Sequence, residues 1–138
     1  MRRRRWALLV GLAVVLAAGC GGQGHSTVTA ADQADTAAAL RDAAAALCTA
    51  KDQAAGDPAA ARRVFYDRAH DRLHELARLA ERTDRPAAAR LLEAKQRVEH
   101  DLDGPSPPAR LAGDLDRLLT TTNAALAAIS IRPPPCTG

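Results

Sequence analysis

Three interruptions rich in proline, glycine and helix-capping residues are the features that most constrain the fold. They lie at Gly56-Asp57-Pro58, at Thr83-Asp84-Arg85-Pro86 and at 103–108, and each can end one helix and begin the next. The stretches between them contain no alternating run of β-branched residues and are dominated by alanine, leucine, arginine and glutamate, which favour helix. The sequence therefore predicts an all-α fold with helices at 30–55, 58–83, 86–102 and 107–130.

Apolar residues recur at helical spacing in all four stretches, so each helix has one face suited to a core. Thr29 and Asp32 have the spacing of a capping box before the first helix, and Ser106 is placed to cap the fourth. Short connections favour antiparallel neighbours, which predicts an up-down-up-down four-helix bundle with a proline-rich C-terminal tail; a dimer of helical hairpins is the alternative. The predicted core positions are Leu40, Ala43, Leu47, Ala50, Ala54, Tyr66, Ala69, Leu73, Leu76, Ala77, Ala80, Ala88, Leu91, Val98, Leu102, Leu111, Leu115, Leu118, Thr122, Ala125 and Ile129.

The first twenty residues have the organisation of an export signal. Arg2 to Arg5 form a basic segment, and residues 6–18 are apolar apart from one glycine. At about 1.5 Å per residue this apolar segment reaches roughly 20 Å, which is less than the ~30 Å hydrocarbon core of a bilayer. These features indicate a secretory signal peptide rather than a transmembrane anchor.

The end of that segment, Leu16-Ala17-Ala18-Gly19-Cys20, resembles the lipobox of bacterial lipoproteins, with Ala17 where that family has leucine. The resemblance implies a signal peptide at 1–19 and acyl chains, such as palmitate, on Cys20. These chains would anchor the protein in the lipid bilayer, at the outer face of the cell membrane. Residues 20–28 then form the lipidated cysteine and a flexible tether, and 29–138 form the helical domain. The arginine- and alanine-rich composition resembles that of lipoproteins from high-GC actinobacteria.

The net charge of the mature chain argues against nucleic acid as a partner. The whole chain carries 19 Lys and Arg against 16 Asp and Glu, with a pI near 9.1. Four of those positive charges are the arginines at 2–5, and their removal with the signal peptide changes the net charge from +3 to −1. The basic pI therefore belongs to the export signal, and no nucleic-acid partner is expected.

Three cysteines are present, and two remain once Cys20 is assigned to lipidation. An exported protein folds in an oxidising compartment, where such an even pair favours a disulfide between Cys48 and Cys136. Neither cysteine lies in a CxxC motif, so a structural bond is expected rather than a redox-active one. The segment Arg132-Pro133-Pro134-Pro135 is suited to an extended conformation that could lead the chain back along the first helix.

His70 and His74 are separated by four residues and therefore share one face of the second predicted helix, with Asp67 and Glu81 on the same stripe. Two imidazoles and a carboxylate can bind zinc or copper, and water or Glu99 from the third helix could complete the site. The alternative is a pair of solvated histidines that interact with helix neighbours. The sequence lacks the glutamate that follows the first histidine in zinc-protease motifs, since Asp71 stands there.

Two polar residues fall among the predicted core positions. Lys95 lies between Leu91 and Val98 and either extends its ammonium group to the rim or pairs with an acid such as Glu99 or Asp67. Thr122 is expected to bond the backbone of its own helix.

No arrangement of serine, histidine and aspartate and no phosphate-binding loop points to catalysis. The sequence favours a binding or accessory module, not an enzyme, that acts on a protein partner of the cell envelope. Divalent-metal handling through the histidine face is the alternative, and no other cofactor is expected.

Overall fold

A computed structural model describes residues 29–104 and 109–136. These residues form four helices and no strand: α1 (Ala30–Gln53), α2 (58–80), α3 (Arg85–Asp103) and α4 (Leu111–Ala128). The prediction of an all-α fold is therefore confirmed.

The predicted helix ends need small corrections. α1 and α2 end two or three residues earlier than predicted. α4 begins at Leu111 with Arg110 at its N-cap, where no side chain forms a capping hydrogen bond. The predicted cap Ser106 lies outside the described residues.

Local side-chain hydrogen bonds account for the starts of the first three helices. The hydroxyl of Thr29 accepts a bond from the Asp32 backbone at 3.1 Å, and the Asp32 carboxylate accepts one from the Thr29 backbone at 2.9 Å, which forms the predicted capping box. Asp57 and Asp84 each accept a bond at 2.9 Å from the backbone N–H three residues further on. Each cap satisfies a helical N–H group that has no partner within its own helix.

Each helix packs against two or more of the others around a core in which alanine and leucine predominate. α1 contacts α2 and α4, α3 contacts α2 and α4, and α2 also contacts α4. Small alanines let helix axes approach closely, but each one buries little apolar area. The largest fully buried side chains, apart from Lys95, are Phe65, Leu40, Leu47, Leu73, Leu76, Leu91, Leu111, Leu115, Leu118, Leu126 and Val98.

A π-helical turn interrupts α2 between its α-helical parts Pro58–Val64 and His70–Ala80. The turn spans Phe65–Ala69, and the His70 backbone N–H donates to the Phe65 carbonyl five residues back. Ala61, Phe65, Ala69 and Leu73 are all buried at strict four-residue spacing. In a regular helix such spacing drifts by about 40° per repeat, and the extra residue in the π turn reduces this drift.

The π turn corrects one predicted core position. Phe65 is completely buried, whereas Tyr66, the predicted core residue, is only half-buried and its hydroxyl donates to Asp103 at 2.8 Å. Ile129 at the end of α4 is likewise half-buried and packs on the edge of the core. The other predicted core positions are buried.

The last turn of α4 reverses the chain direction. Ser130 has a φ of 62°, the one positive φ among the described non-glycine residues. The Ile131 N–H donates to the Leu126 carbonyl at 2.9 Å, and the Ser130 N–H donates to Ala127 at 3.0 Å, which is the hydrogen-bond pattern of a Schellman motif. Ile131 then packs against the core. The left-handed residue at this position is usually glycine.

Replacement of Ser130 by glycine should stabilise the protein by about 0.5–1 kcal/mol, because glycine adopts a positive φ without the clash of Cβ with the backbone. Denaturant unfolding of wild type and Ser130→Gly measures the difference. The matched control is Ala127→Gly in the last regular turn of α4. Glycine in a regular helix should lower the free energy of unfolding by about 0.5–1 kcal/mol. Equal destabilisation by both substitutions would show that the left-handed geometry imposes no strain.

Cys48 of α1 and Cys136 of the tail form a disulfide, as predicted, with a Cα–Cα distance of 5.6 Å. Residues 131–136 have no regular secondary structure. Ile131 lines a groove together with Thr36 and Ala37 of α1. The distance along α1 from Thr36 to Cys48 is about 18 Å, close to the roughly 16 Å that the extended tail covers from Ile131 to Cys136. Ile131 and Cys136 of the tail therefore both lie against α1.

Candidate functional site

The π turn of α2 is followed directly by His70, whose imidazole lies between two carboxylates. Its Nδ1 is 2.9 Å from an Asp71 oxygen, and its Nε2 is 2.8 Å from Oε1 of Glu99 on α3. The side chain is 25% exposed and packs edge-to-face on Phe65, with 5.9 Å between the ring centroids. Each of these two contacts is a hydrogen bond only when the ring nitrogen concerned carries its proton.

Glu99 links His70 to a buried lysine. The Lys95 ammonium lies one helical turn before Glu99 on α3, 2.6 Å from the same carboxylate oxygen, and its side chain is only 2% exposed. Of the two alternatives for Lys95, the structure therefore has the ion pair and not the extension to the rim. A buried ammonium group requires such a partner, because desolvation of an unpaired charge is costly.

His74 completes the group one turn after His70. The two imidazole centroids are 5.2 Å apart, and His74 is exposed. One ligand atom from each of His70, His74 and Glu99 lies within 4.8 Å of the others, and no other such group occurs among the described residues. Two nitrogen donors and one carboxylate are a ligand set that zinc accepts, with an open coordination position.

The electrostatics of His74 and Glu99 favour the protonation states in which these two groups can bind a metal. Partial desolvation by neighbouring side chains lowers the pKa of His74, although the residue is exposed, and the positive charge of Lys95 lowers it further, so its imidazole stays neutral to a lower pH than usual. Burial raises the pKa of Glu99, but hydrogen bonds and charges from Lys95 and His70 outweigh this effect and lower it. The hydrogen bond from His70 lowers the pKa of Asp71, which remains an ionised acceptor.

The structure brings together only part of the predicted ligand set. Asp67 on α2 and Glu81, which directly follows α2, do not belong to the group of ligand atoms formed with His70 and His74. Glu81 instead faces Arg85 at 3.7 Å. The carboxylate in the group comes from α3, which the sequence allowed as the completing ligand.

An ionic network continues from the site toward the start of α2. Arg62 lies over the Tyr66 ring, with 4.7 Å from its guanidinium carbon to the ring centroid, and donates to Asp103 at 3.1 Å. Burial together with the hydrogen bond to Asp103 raises the pKa of Tyr66 to about 12. The network ties the start of α2 to the end of α3 and holds the Tyr66 ring 5.4 Å from that of His70.

Two further expectations have different outcomes. Thr122 donates to the Leu118 carbonyl at 2.8 Å within α4, as predicted for a buried threonine. Cys20, the predicted lipidation site, lies outside the described residues together with the whole segment 1–28.

Sequence reasoning missed a buried carboxylate at Asp101. Its signal was present, because Asp101 lies seven residues after the buried Ala94 and three after Val98, on the core-facing side of α3.

Comparison of the chain with protein-family models, with curated proteins and with solved structures gave no match. Among the described residues, no helix is both long enough and apolar enough to cross a bilayer.

Proposed function

We propose that the protein is a lipid-anchored lipoprotein on the outer face of the cell membrane, where its helical domain serves as a binding module for an envelope protein. The observation that carries this proposal is the disulfide between Cys48 and Cys136. Such bonds persist in oxidising compartments, so the bond supports the export signal at 1–19. It also leaves Cys20, in the lipobox-like segment, as the cysteine available for acylation.

We infer that the helices form an up-down-up-down bundle. Two sets of contacts support antiparallel neighbours. Lys51 near the end of α1 pairs with Asp116 near the start of α4 at 3.0 Å. Arg62 near the start of α2 bonds Asp103 at the end of α3. A rigid bundle of this kind suits a module that presents a fixed surface to a partner.

The position of the anchor restricts where the partner can lie. A tether formed by residues 20–28 can extend by at most about 30 Å. The domain would therefore stay close to the bilayer surface, so the partner is a membrane protein or another protein held near that surface. A binding role rather than an enzymatic one also accords with three pairs of charged surface residues that are bonded to helix neighbours, as on an ordinary solvated face: Arg72 with Glu75, Arg85 with Glu81 and Arg97 with Glu93.

Replacement of Cys20 by serine should abolish lipidation. The wild-type protein should partition into the detergent phase and carry the mass of its acyl chains, whereas Cys20→Ser should lose that mass and enter the aqueous phase or keep its signal peptide. Phase separation and mass spectrometry measure both properties. Ser26→Ala is the matched control, because it changes the tether but leaves the lipobox-like segment and the disulfide intact. Partition of wild type and Cys20→Ser into the same aqueous fraction would contradict the proposal.

A second candidate function is the binding of zinc or copper by His70, His74 and Glu99. The specific observation in its favour is the convergence of their ligand atoms within 4.8 Å. Asp71 adds support, because a metal-bound histidine commonly donates its other ring N–H to a carboxylate. Bound metal would act as a Lewis acid or as cargo of the module.

Titration of the full chain with zinc should reveal one saturable site that His74→Ala weakens by about 100-fold. The affinity should rise between about pH 5.5 and 7.5, because protons compete for both imidazoles. Isothermal calorimetry measures both effects. His100→Ala is the matched control, since His100 lies on α3 outside the ligand group. A flat titration, or equal zinc binding by wild type and His74→Ala, would exclude the metal site and leave the first proposal standing.

A further inference from the structure

Asp101 is a buried carboxylate with an incomplete set of partners. Its side chain is 1% exposed, and one of its oxygens accepts a hydrogen bond from the guanidinium of Arg110, which precedes α4. Its Oδ2 is buried and has no hydrogen-bond partner among the described residues. Such an atom is unusual in a folded protein, because a buried acceptor left without a donor loses the hydrogen bonds it made to water.

A second carboxylate shares the same guanidinium. Nε of Arg110 is 3.4 Å from Asp114 on the first turn of α4. The single positive charge of Arg110 therefore faces two carboxylates, so one of the two negative charges has no positive counterpart. Burial raises the pKa of Asp114, and the neighbouring Asp101 carboxylate raises it further, while Arg110 and Arg97 oppose the shift.

The two acids line a cleft of about 430 Å³ between α3 and the start of α4. The remaining charges that face the cleft largely cancel, because Glu93 and Arg97 pair with each other at 2.5 Å. Gln96 and His100 complete the lining. The volume is within the range of small-ligand sites, and the uncompensated charge among the lining residues is negative.

We propose that this cleft binds an ammonium or guanidinium group beside Asp101 and Asp114. An N–H donor supplies the hydrogen bond that Oδ2 of Asp101 lacks, and its charge balances the two acids against Arg110. A divalent metal fits less well, because the site offers two carboxylates where calcium takes six to eight oxygen ligands. The proposal depends neither on lipidation nor on metal binding at the histidines.

Two sources provide this chemistry: a small free amine, or the side chain of a lysine or arginine on a protein partner. Both present the same N–H donors and the same charge to Asp114, which is the more exposed of the two acids. A protein source would add contacts outside the cleft, so it should bind more tightly than the isolated group.

Ligand-observed NMR on the full chain in detergent micelles tests the proposal with n-butylammonium, N-acetylarginine amide and an alanine-flanked arginine pentapeptide as probes. Wild type should bind the first two saturably at neutral pH, and Asp114→Asn should bind them at least about tenfold more weakly. The asparagine amide can donate to Asp101, so the variant keeps the fold while it removes the charge. Below the pKa of Asp114, binding should weaken by about tenfold per pH unit, because proton and ligand compete.

Asp116→Asn is the matched control, since Asp116 lies on the same helix but pairs with Lys51. Its affinity should equal that of wild type. Tighter binding of the pentapeptide identifies a protein side chain as the source, and equal binding identifies a free amine. Three results would overturn the proposal. They are an Asp114→Asn affinity equal to that of wild type, no saturable binding at probe concentrations up to about 50 mM, and displacement of one probe by potassium chloride as effectively as by another probe at the same concentration.

Discussion

Replacement of Cys136 by serine should lower the free energy of unfolding by about 4.5 kcal/mol and the melting temperature by about 20 °C. The disulfide joins residues 88 positions apart, and a loop of that length greatly restricts the unfolded chain. The expected loss is a large fraction of the stability of a small domain. The core leaves little stability in reserve, because alanine supplies many of its side chains and each alanine contributes little buried apolar area.

Thermal unfolding followed by circular dichroism measures this loss. Cys20→Ser is the matched control, since it removes the one cysteine outside the disulfide and should leave the melting temperature unchanged. Cys48→Ser should reproduce the effect of Cys136→Ser, and the double variant should add nothing further, because both substitutions remove the same bond. Two free thiols in the oxidised wild-type protein, or equal melting of wild type and Cys136→Ser, would contradict the assignment.

Replacement of Glu99 by glutamine should destabilise the protein by about 3 kcal/mol. The substitution leaves the ammonium of Lys95, which is 2% exposed, without its carboxylate at 2.6 Å, and it also weakens the contact with His70. Removal of one partner from a buried pair costs far more than removal of both, because a single buried charge has no compensation. Denaturant unfolding of wild type and Glu99→Gln measures the cost.

The double variant Lys95→Met/Glu99→Gln is the control that separates charge from packing. Methionine keeps the length of the lysine stem without its charge, so the double variant should recover most of the lost stability. Acidification of the wild-type protein should cause the same loss of stability as Glu99→Gln, because it protonates Glu99. The pKa of Glu99 is lowered in the folded state, so its contribution is complete above the ordinary value of 4.5 and is lost as the pH falls through the lowered pKa.

A Glu99→Gln stability within about 0.5 kcal/mol of wild type at neutral pH would contradict this account of Lys95. Failure of the double variant to recover stability would instead assign the loss to the contact with His70 across the α2–α3 interface. In wild type, a stability that does not fall between about pH 5 and 3 would contradict the lowered pKa of Glu99.

The helices of this protein could be predicted because their signals are local. Thr29, Asp57 and Asp84 cap the backbone three residues away, so the short range of each bond makes it readable in sequence. The spacing of His70 and His74 places them on one helix face for the same reason. The π turn was not predictable, because burial of Phe65 in place of Tyr66 depends on what the neighbouring helices leave room for.

The sequence by itself determined the all-α class, the caps of the first three helices and the pairing of the two cysteines outside the lipobox-like segment. Each of these follows from a local propensity or from the count of cysteines. Only the tertiary structure decided which carboxylate joins His70 and His74, and which acids share Arg110. The reason is physical: Glu99 lies 29 residues from His70, and the packing of α2 against α3 brings them to 2.8 Å, a distance that no spacing within one helix specifies.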